Sequence, residues 1–286
     1  MNHRSATLKP GGGLAFLTPR VRAIAIISLT LATVVAMALV PRIQQDEAYH
    51  HFADQRSVLG IPNFLNVVSN VPFLLAGIAG LVLVTGSLAS RTSFLHRFER
   101  WPYVVFFFGV TLTCFGSAYY HLSPNSERLM WDRLPMSIAF MSLFAAVIME
   151  RINLRAGLVS LAPLVVVGVG SVIYWRAGEM NGNGDLRPYV LVQFYSMLAV
   201  IICAIVFPSR YTHSRGLFVA VGWYTAAKLF ELLDQQMFTM GRIVSGHTVK
   251  HIAAAMAAYC ILHMLKRRSR LVGQDARNRT DDQAMH

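Results

Sequence analysis

Residues 63–86 read NFLNVVSNVPFLLAGIAGLVLVTG. The stretch carries no charged side chain, and most of it is aliphatic. A bilayer core needs about 20 apolar residues in a helix. No water is present there to pair backbone N–H and C=O groups, so the segment must close its own hydrogen bonds; barrel-type alternation is absent. Working outward, seven further apolar stretches run over 22–40, 101–121, 129–149, 157–175, 186–207, 216–236 and 246–265. Composition agrees. Apolar residues make up 55% of the 286 and charged residues 14%, against about 25% charged in a soluble domain. These values exclude a disordered or fibrous chain and argue against an ordinary soluble enzyme. The expectation is an all-α integral membrane protein that crosses the bilayer many times.

The formal charge of +12 follows from 26 Lys and Arg against 14 Asp and Glu. In a soluble protein such an excess would point to nucleic acid. Here it sorts by loop. With the N-terminus inside, the inner segments carry 17 basic residues and the outer ones six: Arg42, Arg56, Arg128, Arg176, Arg187 and Arg242. Arg133, Lys228 and Lys250 fall in or at the ends of spans. Cytoplasmic loops collect Lys and Arg, so both termini are expected in the cytoplasm, with no nucleic-acid partner. Lys266–Arg270 reads as a headgroup contact.

Residues 1–21 read as a cytoplasmic segment and 22–41 as an extra N-terminal span. A signal sequence is the alternative for that span, since Ala36-Met37-Ala38 resembles a cleavage site. Residues 42–266 form a seven-helix core, and 267–286 a polar cytoplasmic tail. Cys114, Cys203 and Cys260 lie in apolar runs without metal-ligand spacing and read as packing residues.

Ionisable groups inside spans cost about 2.5–3.5 kcal/mol each on the insertion scale, so the informative residues are those that should not be there. His121 closes one span, Asp132 opens the next, Asp234 ends the seventh, and His247 and His251 open the eighth. All stand near the outer ends, with Lys228 and Glu231 deeper. His247 and His251 are i and i+4, on one helix face, and such a pair can chelate a metal. Ser117 and His121 share the same spacing. Three imidazoles with one open position describe a catalytic zinc site, and nitrogen ligation favours Zn, Cu, Fe or Ni over Mg or Ca. Spacing alone leaves open that each His simply hydrogen-bonds at the interface. Lys228 and Glu231 read as an internal ion pair. His263 reads as interfacial, and His50 and His51 as outer-loop residues within reach of headgroups.

Four segments carry a resemblance. They are Pro62-Asn63-Phe64-Leu65-Asn66-Val67-Val68-Ser69-Asn70, Gly116-Ser117-Ala118-Tyr119-Tyr120-His121, Trp131-Asp132-Arg133-Leu134-Pro135-Met136 and Gly246-His247-Thr248-Val249-Lys250-His251-Ile252. In order and spacing they resemble the SxxxH, DxLPM and HxxxH motifs of the alkaline ceramidase family, part of a wider membrane hydrolase superfamily with the progestin and adiponectin receptors. The resemblance spans residues 49–266, and the tract His50–Arg56 is similar to the bacterial branch. It implies a seven-helix hydrolase core in which His121, His247 and His251 bind Zn2+, with Ser117 and Asp132 facing the metal-bound water. It implies hydrolysis of the amide of ceramide, or of a related N-acyl lipid, to an amine and a fatty acid. Asp132 would move the proton, and Ser117 would help hold the oxyanion.

Some members of that family also bind Ca2+. The carboxylate position matching the first core helix is Asn63 here, so Asp54 and Asn63 are the candidate oxygen ligands. Asp234 matches a polar family position and is a candidate for orienting a ligand His. The acyl chain needs an apolar slot, which small residues of the second, fifth and eighth spans would permit. Two rival classes remain. A lipid-sensing receptor would keep the zinc for structure. A transporter would show inverted repeats or broken helices, and neither is evident in the sequence.

Overall fold

The computed structural model describes residues 18–86 and 93–271. The first seventeen residues and those after Leu271, which hold most of both expected cytoplasmic ends, lie outside the described residues. Nine helices follow in order among the described residues: α1 (Pro19–Leu39), α2 (Phe64–Thr85), α3 (Arg100–Leu122), α4 (Ser126–Arg151), α5 (Leu154–Met180), α6 (Arg187–Val206), α7 (Gly216–Leu232), α8 (Asp234–Gly241) and α9 (Gly246–Arg267). No β-strand occurs among the described residues. Seven helices are long and apolar enough to cross a membrane, and the bent pair α7–α8 reaches that length only when its two parts are taken together. The chain is an all-α, multi-pass membrane protein.

Local signals explain the boundaries. Asn125, Asn153 and Ser245 cap α4, α5 and α9, each accepting from a backbone N–H of the first turn. Pro19 and Pro188 stand in the first turns of α1 and α6, where a missing N–H costs nothing. Helices α2, α3, α4, α5, α6, α7 and α9 pack in sequence as a ring that closes from α9 back onto α2. Exposed aliphatics such as Leu75, Val82, Val166, Leu198 and Ile205 cover its outer wall, as a lipid-facing surface requires.

Helix α1 stands outside the ring, with Ile26 as its one buried residue. It runs antiparallel to α6 and is fixed at both ends. Arg22 Nη1 donates to Val206 O (3.0 Å), and Arg187 Nη1 donates to Ala38 O (3.0 Å) and Val40 O (2.6 Å). Midway, the hydroxyls of Thr30 and Tyr195 lie 2.6 Å apart.

The expected span 216–236 does not run straight. It breaks at Leu233, and α8 leaves α7 at 70°. Asp234-Gln235-Gln236 is too polar to continue at membrane depth. The bend also admits α9: a Cβ on Gly246 would stand 2.2 Å from Phe230 O and 2.8 Å from Asp234 Cα.

The end of the bundle away from the His residues is closed by a second buried polar cluster. Arg268 pairs with Glu150, Tyr211 donates to Glu99, and Tyr103 donates to Glu150 at 2.8 Å. Arg151 donates to Phe207 O at 3.0 Å. Arg268, read from sequence as meeting headgroups, is therefore a buried structural cation.

Candidate metal centre

The turn that joins α1 to α2, and the ends of α2, α3, α4, α7 and α9, meet at one end of the bundle. His121 lies one residue from the C-terminus of α3, and His247 and His251 lie in the first two turns of α9. All three are buried, and one ring nitrogen from each falls within 4.8 Å of the others. Their ring centroids form a near-equilateral triangle with sides of 4.9, 4.8 and 5.0 Å. His121 Nε2 and His251 Nε2 are 3.2 Å apart. His247 Nε2 is buried with no hydrogen-bond partner. An unpartnered buried nitrogen is costly, and a cation shared by the three rings would satisfy it. The donor set and spacing fit a metal ion.

The surroundings fix the rings. Ser69 Oγ lies 2.8 Å from His251 Nδ1. Asn63 Nδ2 donates to His121 O (2.9 Å), and Thr248 Oγ1 donates to Asn66 Oδ1 (2.9 Å). Asp234 Oδ1 accepts from His247 N (2.7 Å) and Oδ2 from Ala53 N (2.9 Å). Asp234 thus holds a ligand candidate as expected, but through the backbone of α9 rather than through an imidazole. Phe52 lies over the triad, with its ring centroid 4.6 Å from that of His121 and 4.4 Å from that of His247.

Ser117 and Asp132 are both buried and line, with His251, a cavity of about 300 Å³. Helices α3 and α4 touch closely beside them: a Cβ on Gly116 would stand 2.1 Å from Trp131 O. Pro135 cannot donate to that carbonyl, its i−4 partner. The close approach brings Ser117 and Asp132 to the wall of one cavity. Asp132 does not open its helix. Asn125 is the cap, and α4 begins at Ser126, so a capping role for Asp132 is excluded.

Other expected residues find other partners. Both carboxylate oxygens of Asp54 are held by Arg56, at 2.7 Å from Nε and 2.7 Å from Nη2. That hydrogen-bonded guanidinium keeps the Asp54 carboxyl below the usual carboxylate range. Asn63 spends its amide on His121 O. The Asp54 oxygens expected for Ca2+ are thus paired with Arg56. His50, expected at headgroups, is buried between Tyr120 OH (2.9 Å) and Ser126 Oγ (3.2 Å), while His51 is exposed. Lys228 and Glu231 do pair, but Glu231 also takes Lys250 Nζ (2.6 Å) and Tyr49 OH (2.9 Å).

The cavity has an apolar continuation, walled in part by the second and eighth spans. A narrow extension of the cavity, about 90 Å³, is lined by Phe106, Val110, Phe140, Met197 and Ala257 among others, and shares Phe73, Thr113, Met136, Tyr224 and Ala254 with it. The fifth span contributes nothing. Its Gly157 and Gly168 are spent on close packing against Met149 and Met141 of α4. On the lipid side, a groove of about 290 Å³ between α6 and α7 shares Phe194, Tyr224 and Lys228 with the cavity.

Sequence reading missed Ser69, Phe52 and Tyr49. Ser69 had a signal: Asn63, Asn66, Ser69 and Asn70 recur at helical spacing in an otherwise apolar run. No protein-family model matches this chain, and no curated protein matches it.

Proposed function

We propose that the chain is a zinc-dependent membrane amidase that hydrolyses ceramide or a related N-acyl lipid to an amine and a fatty acid, as a relative of the alkaline ceramidases. One observation carries the reading. Three buried imidazoles meet at one point, and one of them, His251, lines with Asp132 and Ser117 a cavity that continues into an apolar slot.

His121, His247 and His251 would hold the Zn2+ through Nε2. Bound there, the ion would lower the pKa of a water molecule to about 7 and polarise the amide carbonyl. Among the described residues the Asp132 carboxylate forms no salt bridge. It would take a proton from the attacking water and return it to the leaving nitrogen as the C–N bond breaks. Ser117 Oγ would donate to the carbonyl oxygen as negative charge gathers there. Phe52 would keep bulk water off the far side of the triad. The acyl chain would lie in the slot after entering between α6 and α7. The charge split of the loops supports both termini in the cytoplasm and a site at the outer face, and the resemblance to the bacterial branch would make that membrane a bacterial inner membrane.

The test is elemental analysis of the purified full chain together with a screen of N-acyl lipids for released fatty acid. One equivalent of zinc with release from at least one such lipid is the expected result. A full complement of zinc with no release from any N-acyl lipid would sink the amidase reading and favour a lipid-sensing, receptor-like protein with structural metal.

A further inference from the structure

Beside the triad lies a buried cation that the mechanism does not use. Arg133 follows Asp132 on α4 and lines the same cavity. It is 6% exposed, and no carboxylate stands within salt-bridge distance among the described residues. Its guanidinium is boxed by aromatic rings, 4.3 Å from the centroid of Trp175 and 5.0 Å from that of Tyr189. Nη2 donates to Gln45 Oε1 at 2.7 Å. Nη1 is buried with no partner, and so is the Tyr189 hydroxyl, which lines the same cavity. A guanidinium has five N–H donors and no acceptor. Burying it without a counter-charge is unfavourable, and none of the three carboxylates in the cavity wall, Asp46, Asp132 and Glu231, forms a salt bridge with it. Glu231 is shared by Lys228 and Lys250, and Asp132 faces Ser117.

We propose that Arg133 Nη1 and the Tyr189 hydroxyl form a head-group subsite that takes an anionic group of the substrate, a carboxylate or phosphate. Two residues of one cavity wall that each carry an unpartnered donor call for a ligand rich in acceptors. A guanidinium fork matches carboxylate and phosphate oxygens in particular. The aromatic box removes competing water and holds the guanidinium plane. The subsite adjoins Asp132, so an acidic head bound there belongs to the same molecule whose amide meets the triad. This inference rests on the amidase reading and narrows it: the preferred N-acyl lipid carries an acidic head, not a neutral one.

The test separates recognition from hydrolysis. Binding is measured first, on full-chain Asp132→Asn protein in detergent, by displacement of a fluorescent fatty-acyl probe. N-palmitoylglycine and N-palmitoylethanolamine share an acyl chain and differ in head charge. The expected result is tighter binding of the glycine conjugate by about tenfold or more, the scale of a hydrogen bond to a charged group. That ratio should fall towards unity in Arg133→Gln and shrink in Tyr189→Phe, a variant that deletes only an unpartnered hydroxyl. Inorganic phosphate is added as a competitor: displacement of the glycine conjugate alone marks the subsite as reading the charge, whether free or lipid-borne. Equal affinity for the two lipids, or a ratio unmoved in both variants, would overturn the proposal whether or not either lipid is cleaved. Turnover with Asp132 restored is a separate readout. A binding preference without hydrolysis would count against the amidase reading and leave the subsite standing.

Discussion

His121 Nε2 on α3 and His251 Nε2 on α9 stand 3.2 Å apart, although 130 residues separate them in the chain. Two unprotonated ring nitrogens at that distance repel unless a proton or a cation lies between them. Nitrogens bound to zinc at about 2.0–2.1 Å in a tetrahedron stand about 3.3 Å apart. The pair therefore has the separation of two ligands to one ion, and His247 Nε2 completes a third corner. Replacing His247 and His251 together by Ala should remove the metal, because one imidazole remains. Elemental analysis of the purified variant checks this. One retained equivalent would show that the ion sits elsewhere.

Ser69 gives a finer test. Its hydroxyl meets His251 Nδ1 at 2.8 Å and so sets the ring's orientation and tautomer. Ser69→Ala should weaken metal binding by about 10–100-fold without abolishing it, the usual effect of losing such a partner. Competition with a chelator of known affinity reads the change. An unaltered affinity would mean that α9 packing alone fixes the ring.

How much of this was legible in the sequence varies by element. The spans were, because apolar runs of membrane length need no tertiary information. The triad was legible as spacing on α9, while the arrival of His121 needed the ring of helices to close. Asp132 looked like a helix start because the apolar run begins near it. Asn125 and the polar first turn of α4 hide the true start from a hydropathy reading. The bend at Leu233 has a local sign in the polar run Asp234-Gln235-Gln236, but the close packing of Gly246 against Phe230 and Asp234 at that bend comes from a later helix. Arg268 and Arg133 look like loop and boundary charges. Their burial depends on Glu150 and on an aromatic box drawn from other helices.

Arg56 ties down the loop that carries Phe52. Besides Asp54, it donates to Arg242 O (2.9 Å) and Ile243 O (2.7 Å), just before α9. The Asp54 carboxyl is depressed in the folded state by its hydrogen bonds to Arg56. Its contribution to stability is therefore present above the unfolded carboxylate value of about 3.9 and lost as pH falls through the folded value. Arg56→Ala should remove this acid-side dependence and speed hydrogen exchange in residues 51–62 near neutral pH. Thermal unfolding across pH 3 to 7 and exchange rates measure both. An unchanged acid limb would assign it to other carboxylates.

Gly116 tests the close approach of α3 to α4. An added Cβ would stand 2.1 Å from a backbone oxygen that cannot move like a side-chain tip. Gly116→Ala should cost about 1–3 kcal/mol, as overpacking does, and should lower hydrolysis more than zinc content, since it shifts Ser117 and Asp132 more than the triad. Equal losses of zinc and activity would point to general unfolding instead.

Asp132→Asn separates proton transfer from metal binding. Asp132 is buried beside Ser117 on the cavity wall, seven positions into α4, where Asn125 already provides the cap. Three imidazoles supply the protein share of a catalytic zinc site, so the carboxylate is not needed as a ligand. Asn keeps the shape and accepts a hydrogen bond, but cannot take a proton at neutral pH. The variant should keep its zinc and its thermal stability and lose about 10²–10⁴ in hydrolysis rate, equal to about 3–5 kcal/mol of barrier. Zinc content, unfolding temperature and fatty-acid release on one preparation decide among the outcomes. A metal-loaded, active variant would remove Asp132 from proton transfer. Loss of zinc would make Asp132 a ligand and leave one of the three His without that role. A metal-loaded, stable and inactive variant is the result that only a proton-transfer role predicts, because neither a ligand nor a structural residue gives that combination.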